Sequence, residues 1–214
     1  MDELEALTAD GHSRIRATEL VIERAVRDAL DASTVVLVEG VSDRIALEVV
    51  AARCERNLRN EGVFIVPMGG ATNIGRFLTL FGPQGRNLRL AGLYDLAEEA
   101  HFTRRFERAG FGRCLDRAQL ASLGFYVCVT DLEDEFIRSL KAAGAERVIE
   151  REGELASLRR MQHEPFHRTR TRQQQIHRFI GVHSGRKYRY ARLFAEAVGP
   201  DRIPKPIDEL LAYL

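Results

Sequence analysis

Apolar residues recur along this chain in two periods, and the switches between them outline an alternating α/β domain. Over residues 13–30, Ile15, Ile22, Val26 and Ala29 fall at helical spacing, which predicts an amphipathic leading helix. Thr34 to Val38 is short, nearly all apolar and β-branched, the pattern of a strand buried on both faces. A helix is expected from Asp43 to about Leu58, with Ser42 as its N-cap. Gly62 then introduces a second buried strand, Val63-Phe64-Ile65-Val66. Gly69-Gly70 turns the chain into a helix whose Ile74, Phe77, Leu78 and Phe81 form an i, i+3, i+4, i+7 stripe, closed by Gly82-Pro83. Leu88 to Tyr94 reads as a third strand and Phe125 to Thr130 as a fourth, with helices near 102–109 and 116–122 between them.

After Asp131 the pattern is almost wholly helical, over 132–143, roughly 154–161, 172–180 and 185–198, with a last short helix after Pro204 and Pro206. Strands alternating with helices imply a mainly parallel sheet with right-handed crossovers. The expected fold is therefore α/β, a Rossmann-like four-stranded parallel sheet flanked by helices. Its parts are an N-terminal helix within 1–33, a core domain over 34–145 and a helical extension with a basic segment over 146–214.

The 214 residues, 45% hydrophobic and 29% charged, suit one large domain with a real core. The net charge of +1 says little, but its distribution says more. Residues 131–135 read Asp-Leu-Glu-Asp-Glu, and residues 168–172 read Arg-Thr-Arg-Thr-Arg. Such clusters suit a protein that gathers cations in one place and phosphates nearby, although each alone could be a solvated face. Cys54, Cys114 and Cys128 are unclustered, which argues against a disulfide framework or zinc knuckle and fits a reducing cytoplasm. The opening Met1-Asp2-Glu3-Leu4-Glu5 lacks the apolar stretch of a signal peptide, and no apolar run approaches membrane-spanning length. A soluble, cytoplasmic protein without a membrane partner is expected.

Three acids fall at strand ends: Glu39, Asp95 and Asp131. In an open α/β sheet, ligands bind outside the carboxyl ends of the strands. Asp43 lies one helical turn beyond Glu39, and Glu133 lies two residues beyond Asp131. Gly40 leaves the strand-to-helix turn without a side chain. A few carboxylates are what Mg²⁺ or Mn²⁺ needs, with water and phosphate oxygens completing the shell. Asp43 and Asp131 read singly are equally good helix caps. The H-E-x-x-H string His163-Glu164-Pro165-Phe166-His167 is set aside, because Pro165 would break the one helix that a zinc protease needs there.

The run Val36-Leu37-Val38-Glu39-Gly40-Val41-Ser42-Asp43, followed by Leu90 to Asp95, resembles a TOPRIM domain, the catalytic fold of topoisomerases, primases and OLD nucleases. Glu-Gly-x-Ser-Asp, the turn Pro67-Met68-Gly69-Gly70 and Asp131-Leu132-Glu133 are similar to the OLD branch in particular. The resemblance spans roughly 34–140 and extends weakly to Gly185-Arg186-Lys187, where OLD-type domains place a functional lysine ahead of a helix. It implies metal-dependent cleavage of DNA, with Glu39 and Asp43 near one ion, and Asp95, Asp131 and Glu133 completing a two-ion site. Glu39 and Lys187 are the expected catalytic residues, Lys187 neutralising charge on the phosphate.

One departure is clear. The family's Asp-x-Asp is here Asp95-Leu96-Ala97, with Glu98 as the nearest substitute for the missing aspartate. Gly70 to Phe77 has the glycine spacing of a phosphate loop but lacks its lysine and hydroxyl residue. It is expected to be a capped helix start able to touch a DNA phosphate through backbone N–H groups. Arg168, Arg170, Arg172 and Arg189 are the expected DNA-phosphate contacts, joined by Arg178 in the same basic region. OLD nucleases also carry an ATPase domain, so the resemblance leaves room for a separate ATPase partner, and a homodimer is equally open. Two rival readings remain: a binding module that has kept the fold without the chemistry, and a nucleotidyl transferase of the primase kind.

Overall fold

The computed structural model describes residues 11–113, 115–182 and 184–214. Cys114 and the acidic opening Met1 to Glu5 lie outside the described residues. The helix α1 (Gly11–Asp28) leads to β1 (Thr34–Val38), α2 (Val41–Arg53), β2 (Val63–Pro67), α3 (Ile74–Phe81) and β3 (Arg89–Asp95). There follow α4 (Glu99–Arg108), α5 (Arg117–Ser122), β4 (Phe125–Cys128) and α6 (Leu132–Arg151). The chain ends in α7 (Leu155–His163), α8 (Arg172–Val182), α9 (Ser184–Ala197) and α10 (Lys205–Tyr213).

All four strands are parallel, in the order β2-β1-β3-β4. Both faces of such a sheet must be covered, and the alternation of side chains divides the core accordingly. Val36, Val38, Val63, Ile65, Ala91 and Leu93 face one layer, with Leu47 and Val50 of α2, Phe136 of α6, Phe179 of α8 and Phe194 of α9. Val35, Leu37, Val66, Leu90 and Tyr94 face the other, with the expected α3 stripe Ile74, Phe77, Leu78 and Phe81 and with Phe102 and Phe106 of α4. Phe106 meets Phe125 edge-on at 4.6 Å, and Tyr94 stacks on Phe102 at 5.1 Å. Such pairs contribute about 0.5–1.5 kcal/mol beyond their buried area.

Because α2 and α3 cover opposite faces, the chain leaves β1 in one direction for β2 and returns past it to β3. The reversal makes the crevice between β1 and β3 the switch point, where α/β sheets place their ligands. Gly92 permits the close packing next to it, since a Cβ there would run into the Leu37 carbonyl and the Phe125 ring. Pro67 closes β2 at the outer edge of the sheet, where its missing N–H removes no ladder bond.

Several boundaries differ from expectation for identifiable reasons. The helix after β1 starts at Val41, not Asp43, and Gly40 rather than Ser42 is its N-cap, because Asp43 Oδ2 accepts the Gly40 N–H at 2.8 Å. It stops at Arg53 rather than Leu58, as Glu55 turns into the left-handed region at φ 59°. Ile15, expected on the apolar face of α1, is 58% exposed; burial begins at Val21 and continues through Ala25 and Ala29. The helix expected over 132–143 continues to Arg151 across a break at Lys141, where φ is 59°.

Candidate metal centre

Glu39 follows the last residue of β1, and Asp95 ends β3. Asp131 stands three residues after β4, not directly after it, and is the N-cap of α6. Since β3 lies between β1 and β4, the three acids come from adjacent strand ends spaced about 5 Å apart. Asp43 from the first turn of α2 and Glu133 from the first turn of α6 join them, as does Lys187 from α9. All six residues line one cleft of about 130 Å³, floored by Leu93, Tyr94, Cys128 and Leu132. The loop beside it is tied down: Gly70 N–H donates to the Glu39 carbonyl (3.0 Å), and Asn73 Nδ2 donates to the Met68 and Gly69 carbonyls (2.9 and 3.2 Å).

The carboxylates are not equivalent. Asp43 is held by the Gly40 N–H. Asp131 is held twice, with Oδ1 accepting the Asp134 N–H (2.8 Å) and Oδ2 accepting the His177 Nε2–H (2.6 Å). Glu133 is only 4% exposed, and among the described residues neither of its oxygens has a well-formed hydrogen bond; its counter-charge is the Lys187 ammonium at 3.3 Å. Glu39 is exposed and Asp95 half-buried, and neither carboxylate is hydrogen-bonded among the described residues.

This crowding governs the protonation of the cleft. Burial, then Glu39 and Asp131, push Asp95 up to about 8. Burial, then Glu133, raise Asp43 to about 7. Glu133 is likewise raised by burial, against the pull of Lys187. Burial also pushes Asp131 up, but the His177 hydrogen bond and charge, the Asp134 amide and Lys187 outweigh it and hold the carboxyl below the usual range. His177 is raised in turn by Asp131, and Lys187 is held protonated by Glu133 and Asp43 despite its burial cost. Burial and Asp95 keep Cys128 a neutral thiol.

Among the described residues, no three His, Cys, Asp or Glu side chains stand close enough to enclose an ion as placed. The donor set nevertheless fits a hard divalent cation, being all carboxylate oxygen with a protonated thiol. The buried, hydrogen-bond-free oxygens of Glu133 are the kind of group that a nearby cation must balance.

Glu98 does not line the cleft. Its neighbour Glu99 is turned to Arg117 (2.7 Å) and the Tyr94 hydroxyl (3.2 Å). Arg172 pairs with Glu146, and Arg189 pairs with Glu154 at 2.8 Å. Arg168 donates to the His163 carbonyl (2.8 Å), and Arg170 lies over the Phe166 ring at 5.0 Å. The H-E-x-x-H string is split, α7 ending at His163 and the remaining residues forming a turn. His177 was not singled out from the sequence; a lone histidine on a helix 46 residues from its partner leaves no spacing signal.

Residues 32–96 match the model of the overcoming lysogenization defect protein-like TOPRIM domain. Among solved structures, the C-terminal region of the Xanthomonas campestris pv. campestris OLD protein superposes with a TM-score of 0.69 at 23% identity, covering 87% of this chain and 93% of that one. The C-terminal region of the Burkholderia pseudomallei OLD protein gives 0.65 at 22% identity, covering 85% and 96%. No curated protein matches in sequence. No helix among the described residues is long and apolar enough to cross a membrane. The four-stranded parallel sheet with its helical flanks thus has the fold of these OLD C-terminal regions, and residues 32–96 resemble an OLD-like TOPRIM domain.

Proposed function

We propose that this chain is a Mg²⁺- or Mn²⁺-dependent nuclease that hydrolyses DNA phosphodiesters at the cleft outside the β1, β3 and β4 ends. One observation carries the reading: five carboxylates and a lysine, drawn from β3, the β1–α2 turn and the starts of α2, α6 and α9, line a single cleft beside the switch point. Neither capping nor solvation requires acids from so many elements to share one space.

Glu39, Asp95 and Asp131, with Asp43 and Glu133 behind them, would hold the cation. When bound, it supplies Lewis-acid polarisation of a phosphate oxygen and a more acidic water. His177 and the Asp134 N–H keep Asp131 ionised and oriented, so one ligand is ready in place. Lys187, half-exposed at the cleft, offers a fixed positive charge to an entering phosphate. Arg168 and Arg170, which have no carboxylate partner among the described residues, are the better placed of the expected arginines to meet a DNA backbone. Arg172 and Arg189 already serve ion pairs within the helical layer.

Incubating the purified chain with plasmid DNA tests the reading. Nicked or linear product should form with Mg²⁺ or Mn²⁺ and not with a chelator, and Glu39→Ala should cut at least about 100-fold more slowly. Absence of cutting with either ion, or an unimpaired Glu39→Ala, would overturn it.

A further inference from the structure

The turn between α7 and α8 carries an aromatic and basic surface outside the cleft. Its Phe166 is 68% exposed, the most exposed large apolar side chain among the described residues. The turn that carries it is firmly held. Pro165 cannot continue α7, and the His167 N–H returns to the Glu164 carbonyl at 2.9 Å. The His167 carbonyl accepts the Gln175 Nε2–H at 2.8 Å and the Arg170 N–H at 3.1 Å. Thr171 and Gln174 then close the start of α8, each main-chain N–H donating to the other's side chain (3.0 and 3.3 Å). Since His167 is buried beside it, the fixed turn sends Phe166 outward. An ordered turn that gives up the burial of a phenylalanine presents that ring to an occupant.

The surroundings of the ring select the occupant. The Arg170 guanidinium lies over it at 5.0 Å, and the His167 imidazole meets it edge-on at 5.3 Å. Residues 160–170 carry three arginines and one carboxylate, Glu164, which stands 3.6 Å from His167. The exposed neighbours His163, Arg168 and Thr169 are polar, so no apolar patch extends from the ring as the core of a protein interface would. One ring matches one base, and cations beside it match the phosphates on either side. Within a duplex both faces of a base are covered by its neighbours, so only an unpaired base can use the ring. We propose that Phe166, flanked by Arg168 and Arg170, is a stacking platform for an unpaired base of single-stranded DNA. One helix joins it to the cleft: Gln175 of α8 holds the turn, and His177, two residues on, donates to Asp131. The platform deepens the nuclease reading above and rests on it for where the bound strand leads.

Fluorescence anisotropy tests this with a labelled oligothymidine and a blunt hairpin duplex, each titrated in a chelator so that neither is cut. Phe166→Ala should weaken oligothymidine binding about 10–100-fold and leave duplex binding unchanged. Phe166→Trp should restore the affinity. The chain has no tryptophan of its own, so the new indole emission should be quenched by oligothymidine and not by the duplex. Both variants should melt with the wild type, because the ring is exposed. Unimpaired oligothymidine binding by Phe166→Ala would overturn the proposal, as would an equal loss for both DNAs or a wild type that binds no oligothymidine. Quenching in a Phe166→Trp chain that cuts no DNA with Mg²⁺ or Mn²⁺ would leave the platform standing and overturn the nuclease reading. Glu39-dependent cutting with an indifferent Phe166 would do the reverse.

Discussion

Asp95→Asn separates the electrostatics of the cleft from the stability of the fold. Asn keeps the shape of Asp and removes the charge, at a half-buried position at the end of β3. Burial, then the neighbouring carboxylates, raise the Asp95 carboxyl from the usual 3.8 to about 8, so between those values the folded chain holds a proton that the unfolded chain has released. Stability then falls with rising pH across that window, because the native state binds more protons there. Fully expressed, that rise would be worth about 5 kcal/mol. Water reaches the half-buried carboxyl, and Asp43 and Glu133 share the titration, which reduces the effect to about 1–2 kcal/mol. For a chain of this size that is about 3–6 °C in Tm. Without metal, Asp95→Asn should therefore melt about 3–6 °C above the wild type near pH 9 and level with it near pH 4, by differential scanning fluorimetry. Adding Mn²⁺ reverses the ranking. At 100 times its dissociation constant, a ligand stabilises the wild type by about 2.7 kcal/mol, and the variant, lacking an ion ligand, should gain little. Equal melting of the two metal-free proteins near pH 9, or an equal Mn²⁺ shift in both, would refute the reasoning.

His177→Gln removes the imidazole that donates to Asp131 Oδ2 at 2.6 Å, and the Mn²⁺ dissociation constant should rise about 10–100-fold in calorimetry while the circular dichroism spectrum stays unchanged. Glu146→Ala leaves Arg159 of α7 and Arg172 of α8 without the buried carboxylate of α6 that holds both. Both arginines are about half exposed and can reach water, so urea denaturation should register a loss of about 2–3 kcal/mol, with no change in Mn²⁺ affinity.

The sheet was the most legible part of the sequence because both of its faces are buried. Continuous apolar runs such as Val35 to Val38 and Val63 to Val66 have no helical or exposed-strand alternative at their length. The α3 stripe was equally plain, since all four of its apolar positions sit at one helical spacing and all are buried. Boundaries were less legible because they depend on side chains reaching back to the main chain. Asp43 moved the start of α2 by capturing the Gly40 N–H, which no periodicity encodes. Gly40 is itself extended, with φ −139°, and a Cβ there would meet only ordinary contacts at 3.8 Å. Its conformation therefore does not demand glycine, and what its hydrogen keeps is open space beside the cleft. The acids stood out because strand ends are chemically special positions in an α/β sheet. His177 and the pairing of Arg172 and Arg189 did not stand out, because they join segments tens of residues apart in a helical layer whose packing no local pattern fixes.

Cap and ligand, read from the sequence as alternatives for Asp43 and Asp131, are compatible in the folded chain. Asp43 accepts the N–H of its helix's N-cap residue Gly40, Asp131 accepts an N–H of the first turn of α6, and both still line the cleft. An N–H donor uses one lone pair of one oxygen and fixes the side-chain rotamer, leaving further lone pairs for a cation. Capping thus orients these two acids before any ion arrives, and the helix N-termini hold their negative charge at the cleft mouth. Among the described residues Glu39 and Asp95 have no such anchor, and burial and crowding keep the Asp95 proton in place until a cation enters. Both are free to turn as a cation enters, and Asp95 is the one that ionises then. The division of labour follows: Asp43 and Asp131 set where the site is, while Glu39 and Asp95 respond to what occupies it. For this reason the pH dependence of ion binding should follow the raised carboxyl of Asp95 and not the lowered one of Asp131.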